Sequence, residues 1–186
     1  AEQEVHVEVW CEAAGMLPQL FNVAEPFSAP VYSSGGFDSL TAKKRLADRI
    51  CKIGKPSTIL HLGDRDPSGE SIFDSVAQDV TAFVHADRPW ATVEVVFERI
   101  ALTGEQVSEY DLPTAPAKAT DSRSRNWTGG TCQLEALPPS VIADILHGAI
   151  ERHIDPDLLE LNRQLEVEER RHIALSLPAP DSGRAV

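Results

Sequence analysis

Residues 57–69 have the sequence STILHLGDRDPSG, and this stretch decides the fold. Its first six residues are rich in strand-forming and apolar side chains and stop at a glycine, which is typical of a parallel strand buried on both faces. Pro67 follows at a position that favours the first turn of a helix. Apolar residues then recur on one face as far as Phe83. The stretch therefore predicts a buried strand, a sharp turn and a helix.

Three further strands are predicted around this one. Residues 5–12 alternate, with valines on one side and His6, Glu8 and Trp10 on the other, and residues 30–33 and 92–102 complete the set. Helices separate the strands, and the helix that reaches Cys51 is expected to turn Leu40, Leu46 and Ile50 inward. Four strands separated by three helical segments predict an α/β fold, a Rossmann-like four-stranded parallel sheet flanked by helices.

The remainder is predicted to be an α-rich extension of a core formed by residues 1–102. Residues 103–175 are expected to supply a short helix, a polar loop, a short strand at 132–137 (CQLEAL) and two helices packed on the core. Residues 176–186 are expected to be a flexible tail. Because the chain begins with Ala1 and enters a strand almost at once, we expect it to be processed or truncated.

Composition limits the classes of function. The net charge of −12 argues against coating nucleic acid by bulk electrostatics, so any DNA contact would be local or metal-mediated. Solubility explains the acidity equally well. No apolar run approaches the roughly 20 residues that span a bilayer, and no signal pattern is present. We expect a cytoplasmic protein without membrane contact, and its three separated cysteines predict neither a disulfide framework nor a zinc site.

Acidic residues end two of the predicted strands. Glu12 ends the first, and Asp64 and Asp66 follow the third. If the strand order is 2-1-3-4, these strands are neighbours where the order reverses, which is where such sheets bind ligands. Clustered carboxylates repel one another unless a cation lies among them, and oxygen-only ligands favour Mg²⁺ or Mn²⁺. A simple helix cap is the competing explanation for Asp66.

Two motifs resemble those of Toprim domains. VEVWCEAAG at residues 7–15 is similar to the Toprim glutamate motif, and LGDRDPSG at 62–69 to its DxD motif. The DPSG form most resembles the topoisomerase VI A subunit, its meiotic double-strand-break relatives and topoisomerase-VI-like proteins of actinobacteria and their phages. The resemblance covers residues 5–102 and continues more weakly through ERIALTGEQVSEYDLP, PAKATDSR and QLEALPP.

The resemblance implies site residues and a cofactor. Glu12 would act as general acid/base or metal ligand, and Asp64 and Asp66 would bind Mg²⁺ (or Mn²⁺). Glu135 belongs to the QLEAL segment, which resembles the acidic strand that follows the core in this group, so it would be a further ligand. A solvent-facing position on an edge strand is an equally good explanation of Glu135.

One departure from the family bears on function. Its members cut DNA with a tyrosine on a separate winged-helix-like domain, whereas Tyr32 and Tyr110 have no group beside them in sequence that would activate them. The first hypothesis is thus a Mg²⁺-dependent nicking nuclease or a topoisomerase-type module that needs its tyrosine domain. The second is a non-catalytic Toprim protein that binds DNA or a topoisomerase partner. A haloacid-dehalogenase-type phosphatase is disfavoured because its similar motif occupies the first strand.

A single basic segment stands out in the acidic chain. Lys118, Arg123 and Arg125 lie among threonine, serine and asparagine side chains, which commonly contact phosphates. The segment is therefore predicted to touch the DNA backbone. A solvated loop with a few cations is the alternative.

Overall fold

The computed structural model describes residues 2–34, 39–87, 93–117, 123 and 127–176. Strands and helices alternate through its first half. The elements in chain order are β1 (His6–Cys11), α1 (Leu17–Ala24), β2 (Val31–Ser33), α2 (Leu40–Ile53), β3 (Ser57–Leu62), α3 (Pro67–Asp87), β4 (Val95–Ala101), α4 (Gly104–Glu109), α5 (Pro139–Glu151) and α6 (Pro156–Ser176).

The four strands form one parallel sheet in the order β2-β1-β3-β4. This confirms the predicted α/β architecture with a four-stranded parallel sheet. β1 and β3 are neighbours along their whole length, from the pair His6 and Ser57 to the pair Cys11 and Leu62. Their carboxyl ends are therefore level, and whatever follows each strand starts at the same edge.

Helices cover both faces of the sheet because alternate strand residues point to opposite sides. Val7 and Val9 of β1 pack in a cluster with residues of α1 and α5. Trp10 packs in a second cluster with residues of α2 and α3. β3 is buried at all six positions, as expected for a central strand. The predicted alternation of β1 and the buried character of β3 are both confirmed.

A buried ion pair lies on the side of the sheet that faces α2. Glu8 is 0 % exposed, and Arg49 donates to both of its carboxylate oxygens at 2.7 Å. Trp10 Nε1 donates to Glu8 at 3.1 Å, and His6 Nε2 lies 3.0 Å from the same carboxylate. Burial alone would raise the pKa of Glu8, but the bonds from Arg49, His6 and Trp10 outweigh it and lower that pKa to about 2.

The ends of α2 follow from its sequence. The Ser39 side chain caps the first turn by accepting from the Ala42 amide at 3.2 Å, and Gly54 ends the helix with φ at +70°, a conformation that glycine adopts without strain. Leu46 and Ile50 are buried as predicted. The inward prediction for Leu40 is wrong, since it is 66 % exposed at the first position of the helix.

The strand predicted at residues 132–137 does not form. Cys132 makes only an isolated antiparallel bridge with Arg65, and the next residues form a 3-10 turn, Leu134–Ala136. The reason is that the Leu134 amide donates to the Asp64 side chain at 2.9 Å instead of to a neighbouring strand. Apolar alternation alone cannot distinguish these two outcomes.

The described chain divides into two compact units, one formed by Glu4–Ile154 and the other by α6 with the first residues. Within the second unit, the Gln3 side chain exchanges two hydrogen bonds with the Asp155 backbone, at 2.8 and 3.0 Å. The Asp155 side chain caps α6 by accepting from the amides of Asp157 and Leu158. Among the described residues, no helix has both the length and the apolar character needed to cross a membrane.

All three cysteines are free and buried. Cys11 is 0 % exposed, and burial, together with the nearby carboxylates of Glu135, Glu12 and Asp64, raises the pKa of its thiol to about 11. Burial likewise raises the pKa of Cys132. Both thiols are therefore protonated and shielded in the folded chain.

Candidate functional site

Glu12 and Asp64 lie side by side at the carboxyl edge of the sheet. β1 and β3 end at the paired residues Cys11 and Leu62, and the Glu12 amide donates to the Leu62 carbonyl at 3.0 Å. The Glu12 side chain also contacts the turn after β3, because its Oε2 accepts a hydrogen bond from the Asp64 amide at 3.0 Å. Two acidic segments that are remote in sequence therefore meet in space, because the strand order makes their strands neighbours.

Gly63 makes room for the Glu12 carboxylate, and Gly69 lies against the Asp64 carbonyl. A Cβ on Gly63 would lie 2.6 Å from Glu12 Cδ and 2.7 Å from His61 Cε1, far inside normal contact distance. A Cβ on Gly69 would lie 3.1 Å from the Asp64 carbonyl oxygen and at ordinary contact distance, 3.4 Å, from both Glu12 Oε1 and Asp66 Oδ1. The turn after β3 thus needs glycine for close approach of side chains, and Glu12 and Asp66 approach the same point.

Asp66 caps α3. Its Oδ1 accepts from the Gly69 amide at 2.7 Å, and its carbonyl accepts the Glu70 amide at 3.2 Å. The capping explanation considered for this residue is therefore realised. Capping uses Oδ1, so Oδ2 is the oxygen of Asp66 that remains for a ligand.

Asp64 shares an open cavity with Asp66 and Glu135. Asp64 Oδ1 accepts from the Leu134 amide at 2.9 Å, and this bond holds the 3-10 turn that carries Glu135 beside the DxD segment. The three carboxylates line a cavity of about 630 Å³. Glu135 thus lies on the same rim as the two aspartates, although on a turn and not on the expected strand.

The carboxylates perturb one another. Burial raises the pKa of Glu12, and the charges of Asp64 and Asp66 add to this, while the Asp64 amide and Arg99 oppose it. Burial also raises the pKa of Asp64, with Glu135 and Asp66 adding and the Leu134 amide and Arg99 opposing. Crowded carboxylates of this kind are stabilised in their ionised form by a nearby cation.

Arg99 of β4 is a site residue that the sequence did not reveal. Its guanidinium donates to the backbone carbonyls of Gly63, at 3.2 Å, and Asp64. Burial lowers the pKa of Arg99, and the charges of Glu12, Glu70, Asp66 and Asp64 oppose that effect. Arg99 therefore holds the turn at Gly63 and Asp64 by hydrogen bonds and places a positive charge near the carboxylates of Glu12, Asp64 and Asp66. β4 also contains Glu98, so a charged residue in this strand did not single out Arg99.

Arg65 anchors the segment that follows the loop. It exchanges two backbone hydrogen bonds with Cys132, at 2.8 and 3.0 Å, and its Nη1 donates to the Gly130 carbonyl at 2.7 Å. Its guanidinium carbon lies 4.7 Å from the centre of the Trp127 ring, a cation–π arrangement. Arg65 thereby positions the chain that delivers the Leu134 amide to Asp64.

The basic segment is described at one of its three cations. Arg123 Nη1 donates to Ser68 Oγ at 3.1 Å, at the start of α3. Arg123 also lines a cavity of about 450 Å³ on α3 with Glu70 and Trp127. Lys118 and Arg125 lie outside the described residues. One of the predicted phosphate-contacting residues thus lies beside the helix that Asp66 caps.

The carboxylate oxygens at this edge are ligands of the kind that a hard cation prefers. Glu12, Asp64 and Asp66 offer only oxygen, as Mg²⁺ and Mn²⁺ prefer. Within the described residues, no three His, Cys, Asp or Glu side chains form a ready-made group for a metal ion, and one oxygen of each of these three carboxylates accepts from a backbone amide. Mg²⁺ is commonly held by one or two carboxylates with water and phosphate, so the remaining oxygens fit it.

The fold and this edge define an α/β protein with a parallel sheet and an acidic site at its strand ends. No protein-family model and no curated protein matches the chain.

Proposed function

We propose that this chain is a Toprim-type domain that binds Mg²⁺ or Mn²⁺ for phosphodiester cleavage or transfer on DNA. The observation that carries the proposal is the contact between Glu12 and the Asp64 turn at 3.0 Å, at the level carboxyl ends of β1 and β3. Ligands bind at this edge in open parallel sheets. The motif resemblance and the sheet order β2-β1-β3-β4 support the same assignment.

The positions of Glu12, Asp64 and Asp66 give them different roles in the proposed reaction. Asp64 and Asp66 would hold the ion through the oxygens that do not bond to backbone amides. Glu12 would act as a further ligand of the ion or as a proton shuttle, since burial and its acidic neighbours raise its pKa and so suit it to accept and return a proton at Oε1. A bound ion would stabilise the charge that develops as the phosphodiester is broken or joined. The positive end of the α3 helix dipole favours an adjacent phosphate.

The nucleophile is water or a tyrosine from another domain. Tyr32 lies under the Arg49 guanidinium, 4.4 Å from it, and edge-on to Trp10, where it packs with α2. Tyr110 follows α4 and is 39 % exposed. Neither has a described hydrogen bond to a base. The chain alone is therefore proposed to nick DNA with water, and a winged-helix-like tyrosine domain would be needed for topoisomerase chemistry.

A non-catalytic role is the second candidate, and one observation favours it. Glu12, Asp64 and Asp66 each bond to a backbone amide, so all three also stabilise the turn without any metal. A protein that binds DNA or a topoisomerase partner would retain them for that reason alone. The net charge of −12 accords with a partner other than bare DNA.

A plasmid nicking assay tests the first candidate. Supercoiled DNA is incubated with the chain and with Mg²⁺ or Mn²⁺, and conversion to open circles is measured. Asp64→Asn should abolish nicking, since it removes the charge but retains an oxygen that can accept from the Leu134 amide. The matched control is Asp74→Asn, an exposed aspartate on α3, which should nick like the wild type.

Calorimetry with metal alone separates the two candidates further. Uptake of Mn²⁺ that is lost in Asp64→Asn but retained in Asp74→Asn would support the metal site independently of nicking. Absence of uptake by the wild-type chain, with or without a short duplex, would contradict the proposed site. Uptake without nicking in any metal would favour the non-catalytic candidate.

A further inference from the structure

A small cavity lies beneath Glu12, on the side of the sheet that faces α3. Its volume is about 20 Å³, which exceeds the roughly 10 to 15 Å³ that one water molecule needs. Its polar lining consists of Glu12, Ser34 and His61. The rest of the lining is apolar: Trp10, Ile59, Ile72, Phe73, Val76 and Phe97.

Two buried polar atoms at this cavity have no hydrogen-bond partner among the described residues. They are Ser34 Oγ and His61 Nδ1, and both belong to side chains that line the cavity. His61 is 5 % exposed and packs against Phe73, with ring centres 4.9 Å apart. A buried polar group without a partner costs about 1 to 3 kcal/mol, so a molecule that bonds to both atoms would stabilise the fold.

The other ring nitrogen of His61 faces Glu12. His61 Nε2 lies 3.8 Å from Glu12 Oε1, while Glu12 Oε2 is held by the Asp64 amide. The two side chains come together because Gly63 has no Cβ to separate them. His61 is therefore the side chain that approaches the oxygen assigned to proton transfer.

We propose that one ordered water in this cavity donates to His61 Nδ1 and accepts from Ser34 Oγ, which fixes His61 as its Nε2–H tautomer, directed at Glu12 Oε1. The tautomer of a histidine is set by the bond that its other nitrogen makes. His61 is then a positioning residue for Glu12. The water and the tautomer depend on the cavity alone, whereas the effect on Glu12 chemistry rests on the proposed function.

Burial of His61 agrees with this assignment. Burial and the charge of Arg99 lower the pKa of His61 to about 3, so the ring is neutral and one of its nitrogens must accept. An acceptor at Nδ1 needs a donor in the cavity, and Ser34 and water together supply one.

The tautomer is measured by long-range ¹H–¹⁵N NMR of the metal-free full chain at neutral pH, with His61→Gln used to assign the ring signals. We expect the Nε2–H pattern with a hydrogen-bonded Nδ1. Ser34→Ala should shift the Nδ1 resonance more than the Nε2 resonance, whereas Ser108→Ala, on exposed α4, should shift neither. A protonated Nδ1, or identical spectra for Ser34→Ala and the wild type, would overturn the proposal.

The effect on Glu12 is measured by Mn²⁺ calorimetry. Groups that orient a metal ligand typically change affinity by about 10- to 100-fold. His61→Leu, which removes the donor, should therefore weaken binding by about tenfold, and His61→Gln, which offers an amide donor, should restore most of it. Equal affinity of His61→Leu and the wild type would refute the positioning role. Failure of the wild type to take up Mn²⁺ would refute the proposed function, and the NMR result would then decide the water site alone.

Discussion

Glu8 gives the fold a dependence on pH that can be measured directly. Its pKa is lowered from 4.5 to about 2 in the folded chain, and each pKa unit corresponds to about 1.36 kcal/mol, so its ionised form stabilises the fold by about 3 kcal/mol. Because the folded pKa is the lower one, this contribution is complete above the unfolded pKa and is lost as the pH falls towards 2. About 60 % of it is lost by pH 3.

The assay is urea unfolding of the wild type and Glu8→Gln between pH 3 and pH 7. Groups remote from Glu8 titrate alike in both proteins, so the difference between their free energies of unfolding reports Glu8 together with His6, which contacts its carboxylate. The contribution of Glu8 to this difference should shrink by about 2 kcal/mol across this range. Glu4→Gln, an exposed change on the same segment, controls for the loss of one negative charge. A difference that stays constant with pH would refute the assignment of Glu8 as an ionised partner of Arg49.

Substitutions at three further positions, Gly63, Asp66 and Arg65, test the edge of the sheet. Gly63→Ala should lower the free energy of unfolding by about 1 to 3 kcal/mol, because the new Cβ would overlap neighbouring side chains. The control Gly15→Ala, with no atom within 4 Å of the new Cβ, should change it by less than about 0.5 kcal/mol. Equal stability of Gly63→Ala and the wild type in urea would contradict the close approach. Asp66→Ala should lower the free energy of unfolding by about 1 kcal/mol because it removes the helix cap. Asp66→Asn should retain the cap yet weaken Mn²⁺ uptake in calorimetry. Unchanged uptake by Asp66→Asn would exclude Asp66 as a ligand. Arg65→Lys should lose the stack on Trp127 and destabilise the chain by about 1 to 2 kcal/mol, and an unaltered unfolding midpoint would count against that anchor.

The sheet was predictable because its signals are local. The valine alternation of β1, the apolar run of β3 and the glycine after it specify strands and their ends. A buried all-parallel sheet then follows from the helices between them. The position of Glu12 beside Asp64 followed from the strand order alone, since neighbouring parallel strands end at the same edge.

The parts that sequence did not reveal depend on partners remote along the chain. Glu8 alternates like a solvent-facing residue, yet it is buried because Arg49 neutralises it. Arg99 and His61 gain their roles only when β3 and β4 bring them under the turn. The segment at 132–137 has strand-like alternation, but a bond to Asp64 competes with strand pairing, and no local pattern encodes that competition.

The buried thiol of Cys11 can be used to measure local unfolding of the sheet. Cys11 immediately precedes Glu12, and with a pKa of about 11 it is chemically silent while the sheet is closed. An alkylating reagent would therefore modify Cys11 only when local unfolding separates β1 from the helices packed on it. The rate of that labelling, followed by mass spectrometry with increasing urea, would report the free energy of opening at the residue adjoining the acidic edge.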